Sequence, residues 1–276
     1  MTLAITGPTS GIGIETVKAL APKFDQIFLL VRNEDKARKL IPDFSPSDTA
    51  TKFHVVYCDL TDLKSVSSAA DFIKGQTSHV DVLINNAGGV LKNRKTTKNG
   101  FESTFSINYL GHFLLTKKLL PLLDASPLAR VINVSSEAHK MAKPDFDDLQ
   151  SEKSYSAFKA YTNVKLYNIL FTLSLAEKYA DNGIHAYALH PGMVKTSFGN
   201  DLSGIVKLGK KILELFMISA KKGAKTSIFL ATSPSVVNNN GAYFKKSKVT
   251  NTSKAAESPQ LRNRLWNISE ELVKEY

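Results

Sequence analysis

The stretch Thr6-Gly7-Pro8-Thr9-Ser10-Gly11-Ile12-Gly13 constrains this chain more than any other. It follows a short apolar run, Leu3-Ala4-Ile5, and leads into a helix-patterned segment at residues 14–21. A strand, a glycine-rich turn and a helix in that order form the seat of a dinucleotide pyrophosphate. Gly7 permits the tight turn, Gly11 lets the backbone approach the phosphates, and Gly13 lets helix and strand pack closely. The helix then turns unpaired N–H groups and the positive end of its dipole towards the anion. The spacing is G-x-x-x-G-x-G rather than G-x-G-x-x-G, so the flanking strand and helix carry the reading.

The same alternation continues along the chain. Strand-like apolar runs stand at residues 3–5, 27–31, 53–57, 82–84, 131–134 and 184–189, with a weaker one at 242–244. Helical patterns lie between them at 14–21, 63–74, 101–123, 157–179 and 222–231. Near-continuous apolar strands alternating with helices predict a parallel sheet covered on both faces, and right-handed crossovers make it doubly wound. The expected fold class is therefore α/β, a Rossmann-type sheet in a single domain over residues 1–276. Irregular stretches are expected at 141–155, 196–203 and 250–259.

Composition narrows the function classes. Hydrophobic residues at 43% and charged ones at 22% fit a folded globular chain with length for a sizeable core. Cys58, the single cysteine, can form no intrachain disulfide and no metal cluster, and it suits a reducing compartment. No apolar run reaches the roughly 20 residues that span a bilayer. A cytoplasmic chain with no metal site and with room for an enzyme is the expectation. The net charge of +11 raises the question of nucleic acid. The lysines and arginines are nevertheless scattered among acids and helix-spaced apolar residues, which argues for a solvated surface that attracts an anionic cofactor.

In such a sheet, ligands sit beyond the carboxyl ends of the strands. Asp59-Leu60 follows the third run, Asn85-Asn86-Ala87-Gly88 the fourth, Ser135-Ser136 ends the fifth and His190-Pro191-Gly192 follows the sixth. Asp59 alone could equally cap the helix that begins at Leu63, and Asn-Asn-Ala-Gly alone could be a turn. Their joint placement points to a ligand site.

With these residues in place, the chain resembles the short-chain dehydrogenase/reductase family from Thr6 to about Leu272, and most of all its retinol-dehydrogenase-like branch. The strings that carry the likeness are Asn108-Tyr109-Leu110-Gly111-His112-Phe113-Leu114-Leu115-Thr116, Val131-Ile132-Asn133-Val134-Ser135-Ser136 and Leu166-Tyr167-Asn168-Ile169-Leu170-Phe171-Thr172. Gly223-Ala224-Lys225-Thr226-Ser227, Ala231-Thr232-Ser233-Pro234 and Arg264-Leu265-Trp266 add to it. The resemblance implies a catalytic tetrad of Asn108, Ser136, Tyr161 and Lys165. Delivering hydride to a carbonyl builds negative charge on oxygen, so an acid must donate a proton as the hydride arrives. Tyrosine, with an ordinary pKa near 10, needs help at neutral pH. Lys165, four residues on, lies on the same helix face, where its charge is expected to lower the tyrosine's pKa. Ser136 would orient the substrate oxygen, and the family precedent has Asn108 hold a water that links Lys165 to solvent protons. Two Tyr-x-x-x-Lys pairs compete, Tyr155/Lys159 and Tyr161/Lys165. The string that follows Lys165 matches the family and selects the second. Val164 and Thr9 depart from the branch's usual serine and asparagine, which leaves the supporting geometry open.

The end of the second strand bears on the cofactor. A carboxylate there would select NAD(H), but the chain has Leu30-Val31-Arg32-Asn33. Arg32 can make charge-assisted bonds to a 2′-phosphate, with Ser10 or Asn33 adding neutral ones, so NADP(H) is expected in preference to NAD(H). Asp59 and Leu60 should flank the adenine, Asn86, Ala87 and Gly88 the ribose, and Pro191, Gly192, Val194 and Thr196 the nicotinamide and its phosphates. The partner is a small-molecule carbonyl or alcohol. A substrate lid is expected at about 197–221, where apolar residues from Ile205 to Ile218 alternate with Lys207, Lys210 and Lys211. That segment has two other readings, a core-packing helix first and a membrane-surface helix second. A homo-oligomer, a catalytically silent NADP(H) sensor and a peripheral membrane protein also stay open.

Overall fold

The computed structural model describes residues 1–45, 50–193 and 217–276. Among these residues, eight strands form one sheet in the order β3-β2-β1-β4-β5-β6-β7-β8. They are β1 (Thr2–Thr6), β2 (Gln26–Val31), β3 (Lys52–Tyr57), β4 (Val82–Asn85), β5 (Ala129–Val134), β6 (Ile184–His190), β7 (Tyr243–Lys245) and β8 (Lys248–Val249). All neighbours run parallel except β7 and β8, a hairpin whose two tip residues, Lys246 and Ser247, both have positive φ. The doubly wound α/β expectation is met, with this antiparallel edge as its addition.

Every residue of β1 and β5 is buried, because helices cover both faces. Alternate side chains go to opposite layers. Leu3 and Ile5 join the layer under α1 (Gly11–Leu20), α2 (Glu34–Phe44) and α7 (Ala220–Thr232), whereas Ala4 faces the other. That second layer packs α3 (Leu63–Lys74), α5 (Gly111–Asp124), α6 (Ala157–Lys178) and α8 (Pro259–Val273) around Tyr109, Phe113, Phe171 and Trp266. Neither α2 nor α8 stands out in the apolar pattern. Both carry start signals: Asn33 accepts from Lys36 N at α2, and Ser258 with Pro259 opens α8.

The pattern at residues 101–123 predicts one continuous helix. It is instead α4 (Ser103–Phe105), a π-helical turn at Ser106–Leu110, and then α5. The widened turn holds Asn108, and such bulges often mark functional sites.

Candidate active site

The first crossover delivers the glycine loop to the point where strand order reverses, between β1 and β4, which is where this architecture opens its crevice. Helix α1 begins at Gly11, and its cap residue Ser10 makes no side-chain capping bond, so the first-turn N–H groups have no side-chain acceptor. A side chain at Gly13 would put its Cβ 2.1 Å from the Gly7 carbonyl oxygen. Gly7 itself has φ +65. Backbone thus lies bare along the floor of a cleft of about 570 Å³. That shape and those donors fit a dinucleotide pyrophosphate.

The cleft brings together most of the expected binding residues: Gly7, Thr9, Ser10, Gly11, Ile12, Gly13, Arg32, Asn33, Asp59, Leu60, Asn86, Ala87 and Gly88. Asp59 does not cap α3; Asp62 does, accepting from Lys64 N and Ser65 N. Asn33 spends its side-chain oxygen on the α2 cap, leaving its amide nitrogen for a ligand. Lys36 joins the lining unforeseen. Its signal lay four residues past Arg32, at the start of a helix that was not recognised. No carboxylate among the described residues pairs with Arg32 or Lys36, while nearby Glu34 pairs with Arg38 at 3.3 Å.

Beyond Gly88 the cleft meets the candidate tetrad. A Cβ on Gly88 would lie 2.6 Å from Asn108 Oδ1 and 3.5 Å from Lys165 Nζ, so the ribose loop and both tetrad members converge there. Asn108 Nδ2 donates to Gly89 O and Thr104 O, both at 2.9 Å, and its Oδ1 accepts from Gly89 N at 3.1 Å. Both amide hydrogens and one lone pair of Oδ1 hold the loop, which leaves the second Oδ1 lone pair and the main-chain carbonyl as acceptors for a water. Ser136 stands past β5, close enough to the Tyr161 phenol for its hydroxyl to favour the phenolate. Lys165 Nζ lies 5.4 Å from the Tyr161 ring centre and donates to Val134 O at 3.1 Å.

The rival pair lies elsewhere. Tyr155 donates to Leu91 O at 2.7 Å and meets Thr104 Oγ1 at 3.1 Å, which ties a surface loop down. Tyr161, by contrast, stands with Ser136 and Lys165. One expectation is corrected. Burial raises the Tyr161 pKa, and the Ser136 hydroxyl opposes it only in part. The nearby ammonium, turned to Val134 O, does not reverse the direction.

Burial also depresses Lys165, to about 8 from 10.5. Its folded pKa lies below its unfolded one, so between pH 8 and 10.5 the unfolded chain holds more protons and wild-type stability should rise with pH. At pH 7 the buried charge costs on the order of 3 kcal/mol. Lys165→Met is therefore expected to unfold at higher urea than wild type at pH 7, with the gap closing by pH 10. Urea titrations at both pH values check this; a variant less stable at pH 7 would contradict it.

Glu137 was not anticipated. Burial pushes its carboxyl up, but hydrogen bonds from Lys245, Lys140 and Tyr243 bring it down to about 2. The residue beside Ser136 is thus a fixed anion. Pro191 and Gly192 stand at the end of β6, outside the cleft lining, and Ile218 N donates to Met193 O at 2.7 Å. Val194, Thr196 and the lid segment up to residue 216 lie outside the described residues.

This fold and cleft define a doubly wound dinucleotide-binding scaffold. A family model described as short chain dehydrogenase matches residues 1–204, and the chain belongs to that family. It is 37% identical to Retinol dehydrogenase 12 of Homo sapiens over 271 residues, covering 98% of this chain and 85% of that protein. It is 35% identical over 276 residues to Polyprenol dehydrogenase of Homo sapiens, with 98% and 84% covered. Among solved structures, an uncharacterized protein from Mycobacterium Paratuberculosis superposes with a TM-score of 0.79 at 30% identity, over 99% of this chain and 93% of that one.

Proposed function

We propose that the protein is an NADP(H)-dependent oxidoreductase that interconverts a lipophilic carbonyl compound and its alcohol. The observation that carries this reading is the meeting of the Tyr161 hydroxyl, the Ser136 hydroxyl and the Lys165 ammonium beside Gly88, where the nucleotide cleft ends. Bound NADPH would supply the hydride. The chain's own residues do the rest. Ser136 donates a hydrogen bond to the carbonyl oxygen, and Tyr161 gives that oxygen a proton as charge builds on it. Lys165 stabilises the phenolate left behind. In the alcohol-oxidising direction each proton moves the other way. Arg32 and Lys36 hold the 2′-phosphate. Consumption of NADPH absorbance over a panel of aldehydes and ketones tests the reading, and a protein that binds NADPH yet consumes none overturns it.

The lipophilic substrate rests on three exposed apolar side chains that lie close along the chain to tetrad residues or to the end of β6. Phe158 precedes Tyr161 by one helical turn, Met141 ends the turn that Ser136 opens, and Met193 follows β6. The relationship to a protein named for polyprenol points the same way. Phe158 is 59% exposed, so Phe158→Ser should leave stability within about 0.5 kcal/mol. Its kcat/KM should fall by about 5- to 30-fold for long-chain aldehydes, on the scale of a lost apolar contact, and little for short ones. An equal effect at all chain lengths would remove Phe158 from the pocket.

A further inference from the structure

Behind the tetrad lies a buried histidine that the reaction just described does not use. His112 is 2% exposed on the first turn of α5. Its Nε2 lies 2.9 Å from Thr6 Oγ1, and its Nδ1 3.4 Å from the Asn108 main-chain oxygen. Thr6 Oγ1 already accepts the N–H groups of Asn86 and Ala87, each at 3.0 Å. A hydroxyl has two lone pairs and one hydrogen. With both lone pairs occupied, the threonine hydrogen goes to the nearer acceptor, Nε2, rather than to Ile84 O at 3.5 Å. Burial keeps the imidazole neutral, with its pKa down at about 3, so its one proton sits on Nδ1 and faces Asn108 O.

The backbone end of His112 is held as firmly. Its carbonyl accepts from Thr116 Oγ1 at 2.8 Å, and Asn85 Nδ2 reaches both Thr116 Oγ1 at 3.1 Å and Asn133 Oδ1 at 2.8 Å. Asn133 donates to Thr172, Thr172 to Asn168 O, and Asn168 to Val134 O, the oxygen that also receives Lys165 Nζ. A buried run of hydrogen bonds therefore crosses the sheet from the ribose loop to the lysine, with His112 at the junction of its arms. One acceptor along it, Asn85 Oδ1, is buried without a partner, and the remaining bonds hold the members in register.

We propose that His112 is a positioning residue with two separable arms: through Nε2 and Thr6 it sets the Asn86–Gly88 loop against the cofactor, and through Nδ1 it orients the Asn108 carbonyl beside Lys165. This rests on the NADP(H)-dependent reading for the second arm; the first needs only NADPH binding. Asparagine places its amide nitrogen near the Nδ1 position, and glutamine reaches towards Nε2, so the two substitutions separate the arms.

The test measures NADPH dissociation constants by calorimetry, kcat at saturating NADPH, and melting temperature. One lost buried hydrogen bond corresponds to about a tenfold change. H112N should weaken NADPH binding by about tenfold and lower kcat less, whereas H112Q should lower kcat by about tenfold and bind NADPH nearly as wild type does. Thr6→Val removes the hydroxyl from the other side and should repeat the binding loss, which keeps the first arm testable should H112N fail to fold. Indistinguishable H112N and H112Q, or losses in melting temperature alone, would overturn the proposal, as would a wild type that binds no NADPH. A wild type that binds NADPH but turns over no carbonyl would sink the functional reading and the kcat arm, and the contrast in NADPH affinity would still decide the first.

Discussion

Tyr161→Phe is expected to lose at least about a hundredfold in kcat, the scale of a removed general acid. The substitution deletes one oxygen and keeps the ring, so Lys165 retains its aromatic neighbour and the fold should persist. Tyr155→Phe is the matched control. It removes the bond to Leu91 O, which is worth about 1 kcal/mol to the loop, and should change kcat by no more than a few-fold. Both variants would be followed by NADPH absorbance with the best carbonyl of the panel. The reverse ranking would move the acid to Tyr155 and dismantle the site.

Arg32→Ala should raise the Michaelis constant for NADPH while leaving that for NADH nearly unchanged. A charge-assisted phosphate–guanidinium bond is worth roughly 1.5–3 kcal/mol, or about 10- to 150-fold. Lys36→Ala should shift the same ratio in the same direction by less, since an ammonium offers no planar fork. Kinetics with both cofactors decide the point. Equal effects on NADPH and NADH would mean that the end of β2 does not read the phosphate.

The sequence announced the cleft more fully than its supports. Leu3-Ala4-Ile5 and Val131–Val134 are buried on both faces and so read as strands from apolar content alone. The glycine loop was legible because backbone proximity dictates it: no other residue fits where a Cβ would lie 2.1 Å from a carbonyl oxygen. Helix α2 was not, because only Ala37 and Phe44 are buried along it and Pro42 interrupts its pattern. With it went Lys36. The π-helical turn at Asn108 was also hidden, since one extra residue per turn leaves no mark on an apolar period already crowded by Phe105, Tyr109, Leu110 and Phe113. The interplay of charge and burial around Tyr161 could not be read from spacing. A four-residue gap places Lys165 on the right face, but burial, opposed in part by the Ser136 hydroxyl, sets the direction of the phenol's shift.

The most direct test of the central claim follows the hydride itself. Purified protein would be incubated with NADPH dideuterated at nicotinamide C4 and a panel of lipophilic aldehydes and ketones, and the alcohols analysed by mass spectrometry. The account predicts an alcohol carrying a single deuterium on the former carbonyl carbon, formed by wild type and lost with Tyr161→Phe. Calorimetric binding of NADPH with no deuterium in any product would contradict it, and would leave the fold as a sensor of the cofactor rather than an enzyme that uses it.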